Sequence, residues 1–125
     1  MTARKMSKKT MKTKLDALCR VLVMERDGHK CRKCGVPDKG GRQGLQWAHI
    51  YSRRYLTIRW NPLNSMALCP SCHFFIHQNP LEGAEWVASW MPASDREVLR
   101  EKLKKPGRFD FEAELARLKE ATGGD

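Results

Sequence analysis

Two Cys-x-x-Cys pairs, Cys31 with Cys34 and Cys69 with Cys72, constrain this 125-residue chain more than any other feature. A two-residue spacer lets both sulfurs of a pair converge on one ion, and four thiolates at about 2.3 Å complete a tetrahedral zinc site. A single ion shared by both pairs closes over 34 intervening residues. With every position taken by sulfur, it is structural Zn2+ and leaves no seat for water or substrate. Disulfides or a redox-active Cys-x-x-Cys are the alternatives, although neither accounts for the motif occurring twice. Cys19 falls on an apolar helix stripe and reads as a small buried hydrophobe.

The hydrophobic pattern predicts an α+β chain of short elements. In residues 14–26, Leu15, Leu18, Cys19, Leu22 and Val23 have the i, i+3, i+4, i+7, i+8 spacing of an amphipathic helix, which Asp27-Gly28 stops. A Gly-rich charged loop over 38–44 leads into an alternating strand over 45–50, with Leu45, Trp47 and His49 on one side and Gln46, Ala48 and Ile50 on the other. A second strand is expected at Ser65–Leu68, after an irregular arginine- and aromatic-rich loop over 51–63. Pro70 suits the first position of a helix, where its missing N–H goes unused, and Asn79-Pro80 ends that helix. Trp86, Val87 and Trp90 mark a helical face that covers core. Ser94-Asp95-Arg96-Glu97 matches a capping box opening a helix that Pro106-Gly107 closes, and Phe109, Phe111, Leu115 and Leu118 suggest a last one.

The formal charge of +10 is unevenly placed: residues 1–81 carry 16 basic and 4 acidic side chains, whereas residues 82–125 carry 8 and 10. Four thiolates with one zinc would bring the total to about +8, still strongly basic. Residues 1–14 hold Arg4, Lys5, Lys8, Lys9, Lys12 and Lys14 without an acid, which reads as a flexible basic arm able to lie along phosphates, or as a solubilising tail. Three regions follow: the arm (1–14), a core (15–81) and a C-terminal helical extension (82–125). The longest uninterrupted apolar run spans residues 21–24, so neither a transmembrane span nor a signal-peptide core is expected, and the cysteine usage points to a reducing, cytoplasmic setting.

His73 and His77 lie four apart on the helix expected after the second cysteine pair, so both imidazoles share a face. Such a pair is either polar surface or a chelate for a divalent ion with open positions, as a catalytic ion requires. From Arg26 to Pro80 the chain resembles the HNH endonucleases, the ββα-metal nucleases that include phage and homing enzymes, colicin-type nucleases and restriction enzymes. The resemblance runs through Arg26-Asp27-Gly28-His29-Lys30-Cys31-x2-Cys34-Gly35, then Leu45-Gln46-Trp47-Ala48-His49-Ile50, then Asn64-x4-Cys69-x2-Cys72-His73-x3-His77. It implies a small ββα-metal core with a zinc-stapled pair of knuckles and flanking helices. It further implies that His49 is the general base, that Asn64 braces the loop and orients the His49 ring, that His73 is the helix-borne metal ligand, and that His77 is the further ligand of colicin-type members. One departure is Ala48, where many members carry an Asp or His that binds the metal. Either His73 and His77 suffice with phosphate and water, or Asp27 or Asp38 reaches in, or the site is weakened.

The implied reaction is metal-dependent hydrolysis of DNA. Neutral His49 takes a proton from the attacking water, and a divalent ion at His73 and His77 supports the phosphate and the leaving oxygen. Imidazole ligands favour Mn2+ or another transition ion over Mg2+. Arg53, Arg54 and Arg59, interleaved with Tyr51, Tyr55 and Trp60, are candidate nucleic-acid contacts, with Arg53 or Arg54 holding the scissile phosphate. The expected partner is double-stranded DNA read with little sequence preference, because no base-reading element is identifiable. Nicking is the default outcome, and a homodimer or a place in a phage packaging or recombination complex stays open. The main alternative is a non-catalytic, zinc-stabilised DNA-binding module.

Overall fold

The computed structural model describes residues 6–105 and 108–123. Six helices surround one two-stranded antiparallel sheet: α1 (Lys8–Arg26), β1 (Gln46–His49), α2 (Leu56–Arg59), β2 (Ser65–Leu68), α3 (Pro70–Gln78), α4 (Pro80–Trp90), α5 (Ala93–Lys104) and α6 (Phe111–Ala121). In the sheet, Gln46 faces Leu68 and His49 faces Ser65. The segment expected to be an irregular loop, 51–63, instead contains α2 and the start of a 3-10 turn over Pro62–Asn64.

Helix α1 starts well before the amphipathic stripe was expected to begin. Ser7 caps it by accepting the Thr10 N–H, and Met11 extends the buried row of Leu15, Cys19 and Val23 by one turn. Residues 8–14 are therefore helical rather than part of a flexible arm, with lysines on the solvent side; residues 1–5 lie outside the described residues. The helix stops as expected at Asp27, where Gly28 (φ 68°) and His29 (φ 56°) both adopt the left-handed conformation.

Two apolar cores flank the hairpin. On one side Met11, Leu15, Cys19 and Val23 of α1 pack with Trp60 against Phe111, Leu115 and Leu118 of α6. On the other, Ala48, Met66 and Leu68 meet Ile58, Val87, Met91 and Leu99. Ala48 thus points into the core, and the partner strand β2 is buried along its whole length, which the simple alternation did not anticipate. Each fully buried Leu, Ile or Val contributes about 1.5–3 kcal/mol through removal of apolar surface from water. The boundary expected after residue 81 falls inside α4, and residues beyond it complete both cores: Val87, Met91 and Leu99 in one, Phe111, Leu115 and Leu118 in the other.

Asn79 ends α3 as expected, and α4 begins at once with Pro80 at its first position. The two helices approach closely at buried Gly83, where an added Cβ would lie 2.9 Å from Ile76 Cγ2. The capping box expected for α5 does not form: Pro92 is the N-cap, with no side-chain cap, and Ser94 already lies inside the first turn. The closing Pro106-Gly107 lies outside the described residues. Helix α6 begins two residues after Phe109, capped by Asp110, while Phe109 itself packs on Trp60 at a centroid distance of 5.3 Å. No helix among the described residues is long and apolar enough to cross a membrane.

Candidate functional site

The cysteine pairs come together. The Sγ atoms of Cys31, Cys34, Cys69 and Cys72 all lie within 4.8 Å of one another, and Cys34 and Cys69 are 3.8 Å apart. Zinc–sulfur bonds of about 2.3 Å in a tetrahedron place sulfurs about 3.8 Å apart, so this cluster could hold a metal such as zinc. The local folding of each pair prepares it. In the first, Cys31 N–H bonds to the Val36 carbonyl and the Gly35 N–H returns to the Cys31 carbonyl, which leaves the Cys34 N–H directed at Cys31 Sγ at 3.5 Å. In the second, Cys69 is the N-cap of α3 and its Sγ accepts the Cys72 N–H at 3.4 Å. Burial opposes ionisation of Cys31, but the backbone N–H groups around its sulfur outweigh it and draw the thiol down to about 7. Cys19 stands apart: burial pushes it up to about 12, as suits an inert core thiol. None of the five cysteines is joined in a disulfide.

The first knuckle is tied to its surroundings by Asp27, whose carboxylate is almost completely buried. It accepts from Arg26, from Arg32 at 2.8 Å and from the Ala67 N–H at 2.9 Å, while the Arg32 N–H bonds to the Ala67 carbonyl. Burial alone would raise this carboxyl, yet the Arg26 hydrogen bond, the Ala67 N–H and both guanidiniums together lower it. Arg32 also lies 3.8 Å over the Trp90 ring, so α4 covers the knuckle through a cation–π contact. Asp27 is fully engaged, and Asp38 accepts the Gly40 and Leu45 N–H groups. Neither carboxylate is drawn together with His73 and His77 into a group of three ligands. Among the described residues, the four cysteines are the one group of three or more His, Cys, Asp or Glu drawn together as metal ligands.

His73 and His77 form a pair on α3, with their Nε2 atoms 3.0 Å apart. Gln46 accepts a hydrogen bond from His73 Nδ1 at 2.6 Å, which fixes the His73 tautomer and leaves its Nε2 lone pair facing His77. The 3.0 Å spacing is that of a hydrogen bond from His77 Nε2–H to His73 Nε2, and it is also the spacing of two nitrogens in adjacent positions of an octahedral ion with bonds of about 2.1 Å. Burial and the neighbouring imidazole both lower the His73 pKa, which keeps it neutral and able to ligate.

His49 ends β1 and is held in one form. Its Nε2 lies 3.0 Å from the Arg59 carbonyl, which can only accept, so Nε2 carries the proton and Nδ1 keeps its lone pair. Nδ1 is buried without a partner, and Trp47 packs on the ring with centroids 4.2 Å apart. Burial, reinforced by the Arg53 and Arg59 charges, pushes the imidazole down to about 4 against the one hydrogen bond that favours the cation. Asn64, fully buried, accepts the Tyr51 N–H and donates to the Tyr51 and Ile58 carbonyls. It therefore braces the segment after β1, whereas the His49 ring is gripped by Arg59 rather than by Asn64 itself.

The loop arginines are engaged within the protein. Arg59, whose side chain is 16% exposed, donates twice to Asp16 of α1, and Arg53 donates once to the same carboxylate. The Trp60 indole N–H also bonds to Asp16, at 2.7 Å. Arg54 donates to the Tyr55 hydroxyl. Arg53, 55% exposed, lies 5.6 Å over the Trp47 ring and still turns part of its guanidinium to solvent, and Arg54 is exposed as well. Asp16 and Gln46 were not singled out from sequence. Asp16 is the one acid before Glu25, in a stretch otherwise charged only by Lys and Arg, which is the signal that it has partners to balance.

A pocket of about 450 Å3 brings His49 and His77 together, walled by Met66, Ile76 and Val87 and bordered by Arg96 and Arg100 of α5. None of its lining residues is acidic. Compared with family models, curated proteins and solved structures, the chain matches none.

Proposed function

We propose that this protein is a metal-dependent endonuclease of the ββα-metal (HNH) type, hydrolysing phosphodiester bonds in DNA. One observation carries the proposal: a histidine held in its neutral Nε2–H form, with an unpaired Nδ1, lines the same pocket as one member of a convergent imidazole pair. A buried lone pair without a donor is unfavourable by about 1–3 kcal/mol, and a water bound at the phosphate would satisfy it. The order β1, β2, α3 and the stapling of the knuckles to both strands and helix suit the same reading.

In this mechanism His49 Nδ1 removes a proton from water, the water oxygen bonds to phosphorus, and the bond from phosphorus to the 3′ oxygen breaks, with a solvent proton completing the new hydroxyl. Reaching Nδ1 requires a small displacement of the side chains that seal it. His73 and His77 would hold the divalent ion, with Gln46 fixing the His73 ring. When bound, that ion supplies positive charge for the phosphoryl and leaving oxygens. Arg59 keeps the base in its working tautomer through its carbonyl while Asp16 holds the Arg59 side chain, and Asn64 fixes the backbone on which His49 is hung. The four-cysteine zinc site fixes the start of α3 and therefore the histidine pair.

Ala48 favours a second reading, a non-catalytic zinc-stabilised DNA-binding module. It is buried in the core and gives α3 no strand-borne ligand to complete an ion site. Relaxation of supercoiled plasmid in Mn2+, Mg2+ or Ca2+, comparing zinc-replete wild type with His73→Ala and His77→Ala, separates the two. The nuclease account expects nicking that is greater in Mn2+ than in Mg2+ and lost in both variants. DNA binding without nicking in any ion transfers the case to the binding module.

A further inference from the structure

We propose that Arg96 and Arg100 of α5 are the phosphate grip of this site, binding a nucleic-acid phosphodiester across the pocket from His49 and His77. The proposal rests on the nuclease reading for its chemistry but on separate observations for its residues. Arg96 and Arg100 stand four residues apart, so they share one face of α5 about 6 Å apart along its axis. Leu99 between them is completely buried in the core, and this fixes the rotation of the helix that carries both.

Both border the pocket that His49 and His77 line. Among the described residues, neither guanidinium has a hydrogen-bond or ion-pair partner, whereas those of Arg53, Arg54 and Arg59 bond to Asp16 or Tyr55. Two unpaired cations on an acid-free pocket repel each other and attract an anion, and the planar guanidinium fork matches phosphate oxygens. The apolar wall of Met66, Ile76 and Val87 would take the sugar or base edge attached to that phosphate. This gives the C-terminal helices a part in substrate binding beside the arginine-rich loop, two of whose three arginines are held by Asp16.

The test is fluorescence anisotropy of a short labelled DNA duplex titrated in Ca2+ across a salt series. Wild type is compared with Arg96→Gln/Arg100→Gln and, as a control, with Lys119→Gln on α6, after circular dichroism and zinc content confirm that each is folded. The double variant is expected to bind about tenfold more weakly, with a log–log salt slope flatter by about 1.8, or about 0.9 per lost phosphate contact. The Arg96→Lys/Arg100→Lys pair should keep the slope, and Lys119→Gln should change neither quantity. Binding and slope unchanged in the folded double variant overturn the grip, as does a wild type that binds no duplex. If the slope falls as expected while wild type nicks no plasmid in any ion, the grip stands and the nuclease reading fails alone.

Discussion

Replacing Asn64 by Ala isolates the brace that holds the segment carrying His49. The side chain is fully buried and makes three hydrogen bonds: Oδ1 accepts the Tyr51 N–H at 2.8 Å, and Nδ2 donates to the Tyr51 and Ile58 carbonyls at 3.2 Å each. After truncation the Ile58 carbonyl keeps the Asn61 N–H, so the two groups that lose this support are the N–H and carbonyl of Tyr51. An orphaned buried backbone group costs about 1–3 kcal/mol, and the partial burial of Tyr51 places each near the lower end. The vacated volume adds about 1 kcal/mol. The total is about 3 kcal/mol, which for a chain of this size lowers Tm by roughly 10 °C. Urea and thermal unfolding of the zinc-loaded protein at neutral pH measure it. Asn61→Ala, which loses one bond to the Leu63 N–H, serves as reference and should cost about 1 kcal/mol. Asn64→Asp keeps the volume but turns an oxygen toward two carbonyls, so it should be as damaging as Ala. An Asn64→Ala protein as stable as Asn61→Ala would refute the brace.

Removing zinc with a strong chelator should abolish cooperative unfolding and make all five thiols react rapidly, core-buried Cys19 included; a thiol reagent with a zinc indicator reads both, and retained folding of the stripped protein, with Cys19 still protected, would contradict the staple. His49 has a folded pKa near 4 against 6.5 unfolded, so the unfolded chain binds the extra proton and stability falls as pH drops from 6.5 towards 4. Discounting the part of the ring open to solvent, the loss is about 1–2 kcal/mol; it is read as the difference in urea midpoint between wild type and His49→Gln, which share the acid dependence of the zinc site, and parallel pH profiles would refute it. Gln46→Leu removes the partner of His73 Nδ1 and should weaken Mn2+ or Ni2+ binding at the histidine pair by about 10- to 100-fold in a titration isotherm, whereas unchanged affinity would mean that Gln46 does not orient the ligand.

What could be read in advance was what local chemistry decides. Cys69-Pro70 marks the start of α3 because one sulfur both caps the helix and belongs to the knuckle, and His73 and His77 follow from its period. The strand Ser65–Leu68 and the stop at Asp27-Gly28 are local in the same sense. The start of α1 was hidden because the lysines of residues 8–14 obscure the single buried Met11 one turn before Leu15. Ser94 matched a capping box by spacing alone, but the chain turns two residues earlier, at Pro92. The inward turn of Arg53 and Arg59 depends on Asp16, 37 and 43 residues away along the chain, and the support of His73 depends on Gln46, 27 residues away. No short-range pattern encodes such pairings, so the arginines that looked most available for phosphate are largely engaged, while Arg96 and Arg100 went unnoticed in an ordinary charged helix.

The nuclease account stands most directly on His49. The deciding measurement is the first-order rate of supercoiled-plasmid nicking in Mn2+ by wild type and His49→Ala, each holding one zinc per chain. Loss of a general base should lower that rate by about 10²- to 10⁴-fold with DNA affinity unchanged. A variant that nicks at the wild-type rate, with its zinc in place, would contradict the assignment of His49 as the base.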